Sequence, residues 1–235
     1  MPKKPSNVDV WLKRETPRVR KALENASRHF NANDRLTVNT LEAVYGRESS
    51  FGTMMGTRGS RGPAGHFRFD PETARRYRLS VSKNNDQRFD LDRAASAAAR
   101  YLKDLNTMFG TKTALVKAPD TIPVKDVSER KKFVLGAYNG GEGRIAGAQH
   151  LAEDAGRDPS VWSEVQPFLE AAKATETKAA EIRAYVETVP SYEMEFAQKS
   201  PANKHLKQKT VKEAKNRCTD GHWVTIDDRP VFICA

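Results

Sequence analysis

Residues 91–105, LDRAASAAARYLKDL, have the clearest helical pattern in the chain. Apolar side chains recur along them at the spacing of one helix face, at Leu91, Ala94, Ala98, Leu102 and Leu105. The alanine-rich run from Ala94 to Ala99 carries small side chains, which allow another helix to pack closely. The stretch therefore predicts a buried helix in a mainly α-helical domain.

Helices are predicted on both sides of this stretch, at residues 17–28, 37–48, 71–77, 128–138 and 177–187. Residues 160–173 contain Pro167 and are predicted to form a short helix and a separate continuation. The first should carry Pro17 in its first turn, where proline is favoured. The last should end before Pro190, because proline disrupts a helix interior. Polar residues at the helix starts are the expected N-caps: Thr16, Asn39 or Thr40, Asp70 and Ser128.

The composition indicates one core with room for a small appendage. The chain has 235 residues, 38% of them hydrophobic, and a mean hydropathy of −0.71. No apolar run is long enough to predict a transmembrane segment. Residues 1–6 are basic but lack an apolar segment behind them, so no signal peptide is recognised. Either the protein is not exported by that route, or a signal has already been removed.

The formal net charge of +10 predicts a polyanionic partner. Nucleic acid, anionic membrane and bacterial wall polymer all have that character. The basic residues are densest at 13–21 and 199–217. No zinc-finger, helix-turn-helix or aromatic RNA-binding signature accompanies them, so nucleic acid is not the expected partner.

The two cysteines, Cys218 and Cys234, flank two short β-rich runs. This pattern predicts a small C-terminal β-hairpin closed by a disulfide. Closing a loop of about 15 residues stabilises the fold by roughly 3 kcal/mol in the entropic description, and implies an oxidising compartment. The alternative is a zinc site that also uses His205 and His222.

Glu48 is the first candidate for chemistry, within the sequence YGRESSFG at residues 45–52. Leu41, Val44 and Glu48 share one face of a predicted helix. A carboxyl group on an apolar face is costly to ionise and tends to keep its proton, which makes Glu48 a candidate general acid. The alternative is a helix-end glutamate paired with Arg47 or another surface base.

A second motif, GAYNGGEGR at residues 136–144, ends a predicted helix. Alone it is compatible with simple helix capping or with a phosphate-binding turn. Together with Glu48-Ser49, the sequence AYNGG at 137–141 and EIRAYV at 181–186, it resembles the catalytic domain of soluble lytic transglycosylases, relatives of goose-type lysozyme. The resemblance covers about residues 30–190.

The resemblance implies a lysozyme-like helical domain at residues 30–192, preceded by a helical lead-in at 1–29 and followed by a basic extension at 193–235. It implies a monomer that acts on peptidoglycan glycan strands in the cell envelope, periplasmic or secreted, with no cofactor and no metal. In such enzymes the acid protonates the leaving oxygen. The 6-hydroxyl of muramic acid then attacks C1 and yields a 1,6-anhydro product.

One family segment departs from its usual sequence. Gly65 is kept, but His66, Phe67 and Arg68 replace the family's Leu, Met and Gln. The resemblance places this segment beside the acid in the sugar groove, where Phe67 could stack on a sugar or fill the core. A guanidinium cannot accept a hydrogen bond as an amide can, so Arg68 could instead bind a lactyl or stem-peptide carboxylate.

The other expected site residues come from the matching motifs. The resemblance implies that the Tyr138 phenol hydrogen-bonds Glu48, and it places Glu181 and Tyr185 at the groove. Ser49, Asn139 and Gly140 are expected to fix turns or contact sugar.

A second catalytic carboxyl is not obvious, because residues 49–69 contain no Asp or Glu. The nearest candidates are Asp70, Glu72, Asp90 and Asp92. Two alternatives to the transglycosylase therefore stay open. One is a hydrolytic muramidase in which Asp90 or Asp92 positions water, and the other is a wall-binding protein without activity.

Overall fold

The computed structural model describes residues 5–199 and the backbone of two strands, 221–226 and 229–234. Within residues 5–199 it contains nine α-helices and no β-strand. The helices are α1 Asn7–Leu12, α2 Pro17–Ser27, α3 Val38–Ser49, α4 Pro71–Arg76, α5 Leu91–Gly110, α6 Val127–Gly140, α7 Glu142–Asp154, α8 Trp162–Val165 and α9 Glu176–Lys199. None of the described helices is apolar enough over a sufficient length to cross a membrane.

The helix starts follow the capping rules, with two corrections. Thr16 and Asp70 cap α2 and α4 as predicted. Helix α3 is capped by Thr37, two residues earlier than Asn39. Helix α6 is capped by Asp126, whose carboxylate accepts from the backbone N–H groups of Ser128 and Glu129. In both cases the N-cap is the residue whose extended backbone lets its side chain turn back onto the first turn.

The prediction that the last helix ends before Pro190 is wrong, since α9 continues through it. Proline leaves the carbonyl of Val186 without its helical donor. Burial of the Val186 and Val189 side chains against the core outweighs that loss. Helices α1 and α7 have no counterpart among the predicted helices, because α1 is short and α7 directly follows the Gly141 that ends α6.

Helix α5 is the centre of the helical unit. It packs against α2 on one side and α6 on the other, and α3 also contacts it. Its alanines at 94, 95, 97, 98 and 99 are fully buried. Because alanine adds little volume, these neighbours approach α5 closely from several sides, as the sequence predicts.

The chain divides into two compact units, Met1–Met194 and Glu195–Ala235. The first contains the helical core. In the second, strand β1 Gly221–Ile226 pairs with strand β2 Arg229–Cys234 in antiparallel register.

The predicted closure of this strand pair by a disulfide is corrected by the register. Gly221, and not a cysteine, stands opposite Cys234. The described residues contain no disulfide, and Cys218 lies outside them, as does His205 of the alternative zinc site.

Candidate active site

Helix α3 ends abruptly just after Glu48. Ser50, Phe51 and Gly52 all have positive φ angles, of 52°, 57° and 80°. The buried Ser49 hydroxyl donates to the Tyr45 carbonyl at 3.3 Å and accepts from the Gly52 N–H at 3.0 Å. Ser49 therefore fixes the turn, one of the two roles expected for it, and the reversal leaves Glu48 at the edge of the helix.

Helix α1 holds this turn from outside. The Trp11 indole donates to the Ser50 hydroxyl at 3.0 Å, and Arg14 donates to the Ser50 carbonyl at 2.8 Å. The Trp11 ring lies against Gly46, where an added Cβ would come within 2.4 Å of it. Sequence analysis missed this contribution, although a tryptophan in the chain's first helix could have suggested it.

The Glu48 carboxyl group is partly buried, and its surroundings favour its protonated form. Desolvation raises the pKa of Glu48 to about 7. The Tyr185 hydroxyl and the guanidinium groups of Arg47 and Arg68 oppose that rise without cancelling it. A carboxyl group with a pKa near neutrality can both give and take a proton.

Tyr185, and not Tyr138, is the phenol that faces the Glu48 carboxyl. The Tyr138 hydroxyl donates instead to the Phe67 carbonyl at 3.3 Å, which corrects the hydrogen bond expected for it. The buried Tyr185 hydroxyl lowers the pKa of Glu48, although no atom within residues 5–199 meets it in full hydrogen-bonding geometry. The rings of Tyr138 and Tyr185 are stacked, with centroids 6.3 Å apart. The Arg47 guanidinium lies 5.7 Å from the Tyr185 ring centroid.

Gly65 permits the loop beside the acid to pack against residue 88. Its φ is +83°, and an added Cβ would lie 2.1 Å from the Arg88 carbonyl oxygen. The adjacent Phe67 ring is 1% exposed and stacks on Tyr45 at 5.2 Å. Phe67 thus fills the core, which is the second of the two roles considered for it.

Arg88 is a buried organiser of this loop that sequence analysis missed. Its fully buried guanidinium pairs with Asp86 at 2.8 Å. It also donates to the carbonyls of Ser60, Gly62 and Phe69 at 2.9–3.0 Å. Arg88 stands just before the helical pattern that begins at Leu91, and an arginine beside a helix start is ordinarily a surface residue.

Asn139 and Glu181 meet across α6 and α9. The Asn139 amide donates to Glu181 Oε1 at 2.9 Å, and Lys178 Nζ donates to Glu181 Oε2 at 3.1 Å. Desolvation alone would raise the pKa of Glu181, but these two hydrogen bonds outweigh it and lower the pKa. Gly140 lets the helices approach, since an added Cβ would lie 2.5 Å from Ile182.

These residues border two neighbouring cavities of about 520 and 610 Å³. Arg68 and Asn139 line both, whereas Glu48, Glu181 and Tyr185 line only the larger one. The structure thus places the expected site residues along these two cavities, except Ser49 and Gly65, which line neither. Ser49, Gly65, Phe67 and Gly140 contribute through packing and turn geometry.

The candidate second carboxyls lie elsewhere or are already engaged. Asp70 and Glu72 line the smaller cavity, where Asp70 caps α4. Asp90 caps α5, and the exposed Asp92 lies 3.8 Å from Arg18. Neither Asp90 nor Asp92 lines the two cavities.

Comparison with known families identifies this arrangement. The model of the transglycosylase SLT domain matches residues 26–160, more than half of the chain. The chain belongs to the transglycosylase SLT domain family. The resemblance drawn from Glu48 and the AYNGG motif is thereby confirmed. The match includes both of these elements, whereas Glu181 and Tyr185 lie beyond its end.

Individual relatives of this SLT domain carry a more specific name. Membrane-bound lytic murein transglycosylase F of Marinobacter nauticus is 34% identical over 84 residues, which is 36% of this chain and 14% of the relative. The protein of the same name from Enterobacter sp. is 28% identical over 131 residues, 49% of this chain and 23% of the relative. The chain therefore spans less than a quarter of the length of each of these two relatives.

Proposed function

We propose that this chain is a peptidoglycan lytic transglycosylase of the cell envelope. It cleaves the β-1,4 bond between N-acetylmuramic acid and N-acetylglucosamine. Glu48 is the single general acid and base, and the product is a 1,6-anhydromuramyl end. Membership of the SLT domain family and relatives named lytic murein transglycosylase support this proposal.

The placement of Glu48 in the wall of the larger cavity, where desolvation raises its pKa to about 7, carries the mechanism. Near neutral pH much of the population has a protonated Glu48, which can donate to the glycosidic oxygen as the C1–O bond breaks. The resulting Glu48 carboxylate then accepts the proton of the muramic acid 6-hydroxyl group. At the same time the oxygen of that hydroxyl group forms the new bond to C1. One residue thus acts first as acid and then as base, with no net change in its protonation.

The second carboxylate of the larger cavity does not suit a hydrolytic mechanism. Glycosidases commonly use a second carboxylate as nucleophile or as base for water. Both oxygens of Glu181 already accept hydrogen bonds, from Asn139 and Lys178. Glu181 therefore fits a role in fixing Asn139 at the cleft wall, and the nucleophile must come from the substrate. This argument favours the transglycosylase over the hydrolytic muramidase.

Digestion of purified wall sacculi tests the proposal. Wild-type protein, Glu48→Gln and Glu187→Gln would be compared by rate of release and by mass spectrometry of the products. Glu187 is an exposed residue of the same helix as Glu181, and it controls for loss of one carboxylate. We expect anhydromuropeptides from the wild type and from Glu187→Gln, and a rate lower by about 10²–10⁴-fold for Glu48→Gln.

Two results would refute the proposal in different ways. Products with reducing ends in place of anhydro ends would establish the hydrolytic muramidase. Binding of sacculi without release by the folded wild-type protein would establish the wall-binding alternative.

A further inference from the structure

Arg68 is a cation of the cleft that has no hydrogen-bonded or ion-paired partner for its side chain among the described residues. It lines both cavities and is partly buried. Among the hydrogen bonds and ion pairs of residues 5–199, none involves its guanidinium group, although Asp70 and Glu72 line one of the same cavities. A guanidinium that is half withdrawn from water and has five unused donors is suited to bind an anion.

The other cations of the smaller cavity are already engaged. Arg76 pairs with Glu142, and Lys178 pairs with Glu181. Arg144 donates to the Gly140 carbonyl. Arg68 acts on Glu48 through its charge, but it forms no ion pair within residues 5–199, so its donors remain available to a ligand.

The backbone holds Arg68 in place on both sides. The carbonyl of Phe67 accepts from Tyr138 at 3.3 Å, and that of Phe69 accepts from the buried Arg88 at 3.0 Å. Between them Arg68 adopts a φ of 51°, a left-handed conformation that is unfavourable for a residue with a Cβ. The loop thus fixes one arginine in an unfavourable conformation at the edge of the acid's cavity.

We propose that Arg68 forms a carboxylate subsite that recognises the acidic group carried by the muramic acid residue beside the scissile bond. This inference deepens the proposed function and depends on it. The carboxylate has two sources: the lactyl group of a strand without stem peptides, or the stem peptide itself. Either one presents two oxygens to the planar fork of the guanidinium, and this match gives arginine its preference over lysine.

The binding experiment avoids turnover by placing every variant in a Glu48→Gln background. The probes are three disaccharides of N-acetylglucosamine and N-acetylmuramic acid. The first has a free lactyl carboxylate, the second has the same group as its methylamide, and the third carries a stem peptide with free carboxylates. The variants are Arg68→Gln, Arg68→Lys and Arg61→Gln, the last being an exposed arginine of the same loop that makes no ion pair with the described residues.

We expect the protein with Arg68 to bind a carboxylate probe about tenfold or more tightly than the methylamide. Preference for the first probe identifies the lactyl group, and preference for the third identifies the stem peptide. Arg68→Gln should bind all three probes alike, Arg68→Lys should keep part of the preference, and Arg61→Gln should keep all of it.

Equal affinity for acid and amide in the presence of Arg68, or a preference that survives Arg68→Gln, would overturn the subsite. Sacculus digestion separates this failure from that of the proposed function. An active protein whose Arg68→Gln variant loses no kcat/KM on acidic strands would retain the transglycosylase assignment and lose the subsite.

Discussion

The role proposed for Glu48 requires a pKa near the working pH, and opposing contacts set the pKa of its carboxyl. Burial favours the neutral carboxyl, while the Tyr185 hydroxyl favours the carboxylate. That hydroxyl has no partner in full hydrogen-bonding geometry among the described residues, and Glu48 is the charged group that raises its own pKa most. Tyr185 therefore belongs to the acid's immediate surroundings, although it lies outside the region matched by the family model.

Replacing Tyr185 by Phe should raise the pKa of Glu48, because the carboxylate loses a donor while the ring keeps its stacking. Activity that requires the protonated acid falls as pH rises through the pKa. We expect the descending limb of kcat/KM against pH to move upward by about half to one pH unit.

Tyr138→Phe is the matched control for this prediction, since its hydroxyl donates to the Phe67 carbonyl. Its descending limb should stay at the wild-type pH. A shift in Tyr138→Phe and none in Tyr185→Phe would restore the hydrogen bond that the sequence suggested and contradict the structure.

The sequence predicted that Glu48 lies on an apolar helix face, but it did not predict which tyrosine lies beside its carboxyl, for a physical reason. Helical spacing alone places Glu48 on an apolar face. Whether Tyr138 or Tyr185 turns its hydroxyl to that carboxyl depends on how α6 and α9 pack. The buried role of Arg88 could not be predicted for a similar reason, because the carbonyls that it binds lie 19–28 residues earlier in the chain.

At the scale of elements, local signals predicted the helices well where a cap and an apolar period agreed. Helix α5 and the start of α2 are of this kind. The prediction that α9 ends before Pro190 was wrong, because tertiary burial outweighed the local effect of the proline. The loop at residues 52–65 was recognisable by its glycines, but its shape depends on contacts with distant residues.

Gly65→Ala should destabilise the loop much more than an alanine at another glycine with positive φ. Both suffer the backbone cost of about 1 kcal/mol. At Gly65 the new Cβ would also overlap the Arg88 carbonyl, which adds about 1–3 kcal/mol. Gly156→Ala is the control, because its φ is +71° and no atom lies within 4 Å of an added Cβ. Urea unfolding would measure both, and equal losses would contradict the proposed clash.

At the scale of the whole molecule, the pH dependence of stability is set by buried carboxyl groups whose pKa values are shifted in opposite directions. Glu42 and Glu48 have raised pKa values, so the folded state binds more protons than the unfolded state and stability falls as pH rises. Asp86 is the opposite case. Burial alone would raise its pKa, but the hydrogen bonds from Arg88 lower it, and its contribution is lost in acid. Stability should therefore be greatest on the acidic side of neutrality.

Glu42 connects α3 to the segment that enters α2. Its carboxyl is fully buried and contacts Arg20, which also lies 3.6 Å from Glu15. Burial and the neighbouring Glu15 carboxyl raise the pKa of Glu42 against the opposing charge of Arg20. The neutral carboxyl can donate to Glu15 and accept from Arg20 at once, so both charges are accommodated while Glu42 keeps its proton.

Glu42→Gln should copy this protonated form, because an amide also donates on one side and accepts on the other. We expect Tm to match the wild type near pH 5 and to exceed it progressively as pH rises. Between pH 5 and 9 the folded wild type keeps the proton of Glu42 while the unfolded wild type loses it, which favours unfolding. A glutamine does not titrate in either state. Glu24→Gln removes the half-exposed partner of Arg20 and should give a curve parallel to the wild type. Thermal unfolding across pH decides the matter. A Glu42→Gln protein that is less stable at every pH would mean that the Arg20–Glu42 pair is ionised in the folded state.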